Sequence, residues 1–392
     1  MWGENGGCRW PAGGYDRRLL RLPNGGSPAF MKTSLRHVLF LFVALGSLFG
    51  QAKDEPIDFN HARQLMERQR SGATLSADEK AYVARAVAAR NAGGGGRPAN
   101  QRKAPERITP LTDLGAAGRY EGEDGGLYGG GQNTPPEGQR RAALEQLAKI
   151  RPLNATGEPA DDGIIGFVAI SMSNATQEFS RFKQIADGSP LKSARVTIVD
   201  CAQGGQAMAQ WVPADGRPWA EAKRRLATAK VSPSQVQVAW IKLANVGPSG
   251  SLQEHGRKLE SDTLAVLRHA RALFPNLRIA YLCSRTYGGY ATGGLNPEPY
   301  AFESGFAARW LIQRQVKGDA ELALTKVPLL LWGPYLWADG ARGRKIDGLV
   351  WEHGDFGEDG VHPSNAGRQK VAELLLDFCT TDPLAKPWFT GK

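Results

Sequence analysis

Cysteine is scarce. Cys8, Cys201, Cys283 and Cys379 are the only four in 392 residues, with no C-x-x-C pair and no Cys/His cluster. That spacing argues against a zinc site, and the three cysteines beyond Cys8 make an odd set that cannot close a disulfide framework. No long apolar run is present where a membrane-spanning helix would need about 20 residues; the run at 38–49 has 12. Also missing are a G-x-x-x-x-G-K-[ST] loop and a G-x-G-x-x-G after a strand, so no nucleotide cofactor is called for. The G-x-S-x-G elbow of the common α/β-hydrolases is absent as well. Histidine is sparse at six residues, which makes a search for a catalytic base short.

Basic charge is plentiful, but badly placed for a nucleic-acid groove. The net charge is +10, yet residues 1–110 hold 17 Lys/Arg against 9 Asp/Glu, leaving the other 282 residues nearly balanced. A surface that tracks phosphates needs its cations on the folded body that binds. No nucleic-acid partner is therefore expected.

The first 110 residues divide by composition. Residues 1–30, rich in Gly and Arg, look like an upstream extension, with Met31 the expected start. From there Lys32 and Arg36 precede the apolar run VLFLFVALGSLF (38–49), and Gly50-Gln51-Ala52 offers small residues for cleavage. The pattern predicts a signal peptide over 31–52, hence a secreted or periplasmic chain with no stable membrane insertion afterwards. The alternative is a short N-terminal anchor. Residues 53–91 carry two helical patterns, the second opened by the capping box Ser76-Ala77-Asp78-Glu79. Residues 92–105, with Gly93–Gly96 and a Pro/Gln/Arg stretch, are expected as a flexible linker. Residues 106–160 are expected as a loop-rich lead-in with one helical patch.

From about residue 161 to 392 short apolar runs alternate with amphipathic ones. Candidate strands are 164–170 (IIGFVAI), 194–200 (ARVTIVD), 236–242 (VQVAWIK), 278–282 (RIAYL) and 327–332 (VPLLLW), with helical stretches near 177–186, 219–229, 252–274, 303–316 and 364–378. Strands apolar on both faces, alternating with helices, imply a parallel sheet covered on both sides. The expected fold is a three-layer α/β/α flavodoxin-like domain with a five-stranded parallel sheet, preceded by a small helical segment. In its 2-1-3-4-5 strand order, Cys201 and Cys283 end strands that are not neighbours, which argues against a bridge between them.

In such sheets reactive groups gather beyond the carboxyl ends of the strands. Ser171-Met172-Ser173-Asn174 follows the first strand, Cys201-Ala202-Gln203-Gly204-Gly205 the second, and Leu243-Ala244-Asn245 the third. Asp359-Gly360-Val361-His362-Pro363-Ser364 precedes the last helix. A serine hydroxyl attacks poorly until a base takes its proton, so a histidine must meet it. His37 lies in the leader, His61 in the N-terminal helices, and His255 and His269 in one long helical stretch. Of His353 and His362, only His362 has a carboxylate three residues before it, in a turn tight enough to reach Nδ1. Each segment alone also has a plain structural reading. Asp-Gly is a stock turn, and Ser173 or Ser364 can cap a helix.

Together these segments resemble the four sequence blocks of the SGNH (GDSL-like) hydrolases, nearest to the sialate O-acetylesterase-like and acetylxylan-esterase-like branch. The resemblance covers about residues 163–380. It implies Ser173 as nucleophile, His362 as general base and Asp359 as its partner. It implies an oxyanion hole from the Ser173 and Gly205 N–H groups and the Asn245 side chain. The chain departs from the family pattern in having Ser171-Met172 before the nucleophile and Leu243-Ala244-Asn245-Val246 where Gly-x-Asn-Asp is usual. The implied activity is hydrolysis of a carboxylic ester on a small molecule or polysaccharide, an O-acetyl group above all, with neither metal nor cofactor. Two alternatives stay open: a lipid or aryl-ester esterase, and a catalytically inactive module that binds glycan or another envelope partner. In the loop after the fourth strand, Arg285, Tyr287 and Tyr290 either touch substrate or belong to a self-bonded loop. Trp332, Trp337 and Trp351 either floor a sugar site or fill the core.

Overall fold

The computed structural model describes residues 57–70, 73–93 and 101–391. The expected extension and signal peptide (1–30, 31–52) lie outside the described residues. Helices α1 (Phe59–Arg70) and α2 (Ala77–Gly93) form the helical N-terminal segment. The capping box closes at the start of α2: Ser76 Oγ accepts from Glu79 N at 3.2 Å, and Glu79 Oε2 from Ser76 N at 2.8 Å. Short helix α3 (Leu111–Leu114) and α4 (Glu137–Leu147) punctuate the lead-in. Among the described residues no helix is long and apolar enough to cross a membrane.

Five strands follow, β1 (Ile165–Ser171), β2 (Val196–Asp200), β3 (Val236–Lys242), β4 (Ile279–Leu282) and β5 (Leu329–Trp332), all parallel in the order 2-1-3-4-5. This is the flavodoxin-like sheet. Between them run α5 (Ser173–Asp187), the short α6 (Met208–Trp211), α7 (Arg217–Thr228), α8 (Arg257–Leu273) and α9 (Tyr300–Val316); α10 (Asn365–Thr381) and α11 (Lys386–Thr390) close the chain.

Alternate strand residues feed two separate cores, which is why the strands read as unbroken apolar runs. Val168, Ile170, Ala239, Ile241, Ala280, Leu282 and Leu330 pack toward α7, α8 and α9. Phe167, Ala169, Val238, Trp240, Ile279, Tyr281, Leu329 and Leu331 pack toward α4, α5, α10 and α11. Trp332 and Trp337 join the first core and Trp351 the second, at 5%, 0% and 1% exposure, so the core reading of these three holds. Cys201, Cys283 and Cys379 are free and buried.

The α5 side matters most for the site. Phe179 lies edge-on to Phe167 at 5.3 Å and stacks on Trp240 at 5.5 Å. Burying each such ring contributes about 1.5–3 kcal/mol. That packing fixes the axis of α5, whose first residue is Ser173, against the sheet. Helix α5 begins earlier than the apolar periodicity suggests, because Ser173, Asn174 and Thr176 in its first turn are polar.

Within the stretch expected as a linker, residues 101–105 lie against the domain. Gln101 Nε2 donates to the carbonyls of Pro248 (2.9 Å) and Gly294 (3.0 Å), and Arg102 Nη2 to the buried Glu303 at 2.5 Å. The sequence held no periodic signal for a partner 201 residues away.

Candidate active site

Strand β1 ends at Ser171 and Met172 is extended, so Ser173 opens α5. The first N–H groups of any helix lack intrahelical acceptors, and the macrodipole places partial positive charge there. Ser173 therefore stands where developing negative charge is stabilised. The end of β1 is held firmly: the Ser171 carbonyl accepts from Gln203 N (3.0 Å) and Trp211 Nε1 (3.2 Å), and Ser171 Oγ donates to the Lys242 carbonyl.

The segment before α10 supplies the partner. Asp359 Oδ1 accepts from Val361 N at 3.0 Å and His362 N at 2.9 Å, folding the carboxylate back over its own turn. Gly360 makes the turn possible at φ +64°, and a Cβ there would sit 1.8 Å from the Tyr290 carbonyl oxygen. Oδ2 then lies 2.5 Å from His362 Nδ1, and Nε2 of the same ring lies 2.7 Å from Ser173 Oγ. An ionised carboxylate only accepts, so Nδ1 carries the proton and Nε2 is left to accept from the hydroxyl. Burial pushes the Asp359 carboxyl up, but the bonds from the His362 ring and from the Val361 and His362 N–H groups outweigh it and hold the group at about 2. A serine–imidazole–carboxylate chain in this order can pass the hydroxyl proton to the ring as the oxygen attacks an acyl carbon.

Three contacts brace the arrangement. Asn174 Nδ2 donates to the Val361 carbonyl at 3.3 Å, linking the residue after Ser173 to the residue before His362. Thr292 N donates to the Asp359 carbonyl at 3.1 Å, docking the loop after β4 on the turn. Ser364 caps α10, its Oγ accepting from Gly367 N at 3.3 Å, so the histidine sits immediately before a rigid helix.

The other residues singled out fall into place unevenly. Gly205 is exposed, at φ +72°, in the loop whose Met208 N reaches the Ala244 carbonyl at 3.2 Å. Among the described residues its N–H meets no acceptor. Asn245 is half-buried, and its carbonyl accepts from Asn296 Nδ2 at 3.2 Å, which fixes its backbone. Tyr287 and Tyr290 are half-buried with their rings edge to face at 5.1 Å, and Tyr290 OH donates to the Trp351 carbonyl at 3.0 Å. Arg285 is 2% exposed. Burial at the carboxyl end of β4, where Ser304 Oγ accepts its N–H at 2.9 Å, keeps it off the surface of the loop where the sequence suggested a substrate contact.

Sequence reasoning passed over Asn174 and the ion pair between Lys242, at the end of β3, and Glu178 of α5, both at 1% exposure or less. Burial drives the Lys242 ammonium down to about 8 even with Glu178 against it. A lysine ending an apolar strand was the available signal.

No protein-family model and no curated protein matches the sequence. Among the solved structures similar in part are two. One, from Bacteroides fragilis, is described as an acylhydrolase; at 12% identity and TM-score 0.35, the match covers 64% of this chain and 100% of that one. The other is the periplasmic domain of a lipopolysaccharide acetyltransferase from Salmonella ser. Paratyphi A, at 14% identity and TM-score 0.32, with 62% of this chain and 97% of that chain covered. Neither likeness carries a functional assignment.

Proposed function

We propose that the chain is an exported serine esterase that removes a small acyl group, an O-acetyl above all, from a carbohydrate. The observation that carries this reading is the unbroken Ser173–His362–Asp359 relay, at 2.7 and 2.5 Å. Ser173 Oγ attacks the ester carbonyl while His362 Nε2 takes its proton. The oxyanion that forms is met by the N–H groups of Ser173 and Gly205 and by the Asn245 side chain. His362 then returns the proton to the departing alcohol, leaving an acyl-enzyme, and a water activated by the same ring releases the acid. Exposure favours a bulky alcohol, and the short acyl group follows from the resemblance to the O-acetylesterase-like branch. The His362 and Asp359 side chains are 33% and 38% exposed, and Gly204 and Gly205 lie open, so a polymer can approach without entering a tunnel.

The test is a panel of p-nitrophenyl esters of increasing chain length beside acetylated sugars, assayed on the chain from Lys53. Turnover falling as the acyl chain lengthens is expected. No turnover on any ester, with tight glycan binding in calorimetry, would replace the enzyme by the binding module. Export is tested separately by intact mass of the product of an exporting host, with a mature start near Lys53 expected.

A further inference from the structure

Beside the relay lies a buried group of charges that it does not use. Lys242 ends β3, opposite Ser171 of β1 in register, and pairs with Glu178, five residues into α5 from Ser173. Arg285 lies three residues beyond the end of β4, which pairs with β3 in the sheet. The carboxylate whose charge bears on Arg285 is again Glu178. Glu178 is paired with Lys242, and no ion pair joins it to Arg285 among the described residues. The Arg285 Nε and Nη1 atoms are buried and meet no hydrogen-bond partner among the described residues.

Orphaned buried donors in a native protein call for an occupant such as a water or an ion. Water answers the donors but not the charge, and a buried charge without its counter-ion is costly. A guanidinium is also a planar fork matched to a carboxylate. We propose that Arg285, with Lys242 behind it, forms an anion site at the carboxyl ends of β3 and β4 that takes the carboxylate of a small acid. If the hydrolytic reading holds, the acid released at Ser173 belongs to that class, and the site would retain it as product; only this last link rests on that reading.

The test needs no turnover. Thermal melts of the chain from Lys53 are recorded with sodium acetate, sodium chloride or sodium phosphate at constant ionic strength. Acetate is expected to raise Tm saturably, by roughly 2 °C at tenfold over its Kd. Arg285→Gln should abolish the rise, and Glu178→Gln, which removes the competing carboxylate, should enlarge it. The proposal is overturned by a wild type indifferent to acetate, by chloride or phosphate matching it, or by Arg285→Gln responding as wild type does. Should Arg285→Gln fail to fold, a smaller rise in Glu178→Gln than in wild type overturns it. Ester turnover is assayed apart, so loss of either property leaves the other standing.

Discussion

Replacing Asp359 by Asn tests the relay at the joint that sets the His362 tautomer. The Asn carbonyl can keep the place of Oδ1 and go on accepting from Val361 N and His362 N, at 3.0 and 2.9 Å, so the turn survives. The amide then faces His362 Nδ1 with a donor. The ring answers by moving its proton to Nε2, the atom 2.7 Å from Ser173 Oγ, and can no longer accept from the hydroxyl. Loss of the right tautomer costs other triads about 10⁴ in kcat, or about 5 kcal/mol of transition-state stabilisation. The variant should fold, with a melt below wild type at neutral pH because the carboxylate's bond to the ring is lost, and turn over p-nitrophenyl acetate about 10⁴-fold more slowly. Stability against pH gives a second reading. The folded carboxyl sits at about 2, below its ordinary value of about 3.9. Its contribution is therefore complete above the ordinary value and is lost as pH falls through about 2. Denaturation midpoints compared at pH 5 and in that acid window should drop more for wild type than for Asp359→Asn. A kcat within tenfold of wild type would refute the assignment of Asp359 as the tautomer-holding group.

Ser173→Ala should abolish ester hydrolysis, whereas Ser171→Ala, whose hydroxyl only donates to the Lys242 carbonyl, should cost about 0.5–1.5 kcal/mol in a urea melt and reduce activity modestly. The reverse pattern would move the nucleophile by two residues. Asn245→Ala should lower kcat about 10²–10³-fold with KM nearly unchanged, because an oxyanion donor strengthens as charge develops; unchanged kcat leaves two backbone donors. Gly360→Ala meets both φ +64° and a carbonyl 1.8 Å from the new Cβ, so chemical denaturation should show a loss of about 2 kcal/mol or more. A melt equal to wild type would show that the turn can be rebuilt without glycine.

What could be read from the sequence followed how locally each feature was encoded. The sheet was legible because strands β1 and β3 are buried on both faces and so appear as IGFVAIS and VQVAWIK. The Asp359–His362 contact was legible because three residues and a glycine close it within one turn. The burial of Arg285 was not legible, for the opposite reason. Its neighbours in sequence, Ser284 and the Tyr-Gly-Gly run, read as a surface loop. Its backbone N–H is held by Ser304, on a helix 19 residues further on, and the carboxylate whose charge bears on it is Glu178, more than a hundred residues earlier. The same holds for Glu303, which gathers Arg102, Tyr120 and His255 from three separate segments around one carboxylate. No periodicity marks a polar residue whose partners come from elsewhere in the chain. What does mark it is the cost: a full charge inside an apolar helix face must be paired to be tolerated. Glu178 in α5, Lys242 in β3 and Glu303 in α9 each break an apolar pattern. Each therefore announces in the sequence that a partner must exist, while leaving to the fold which partner it is.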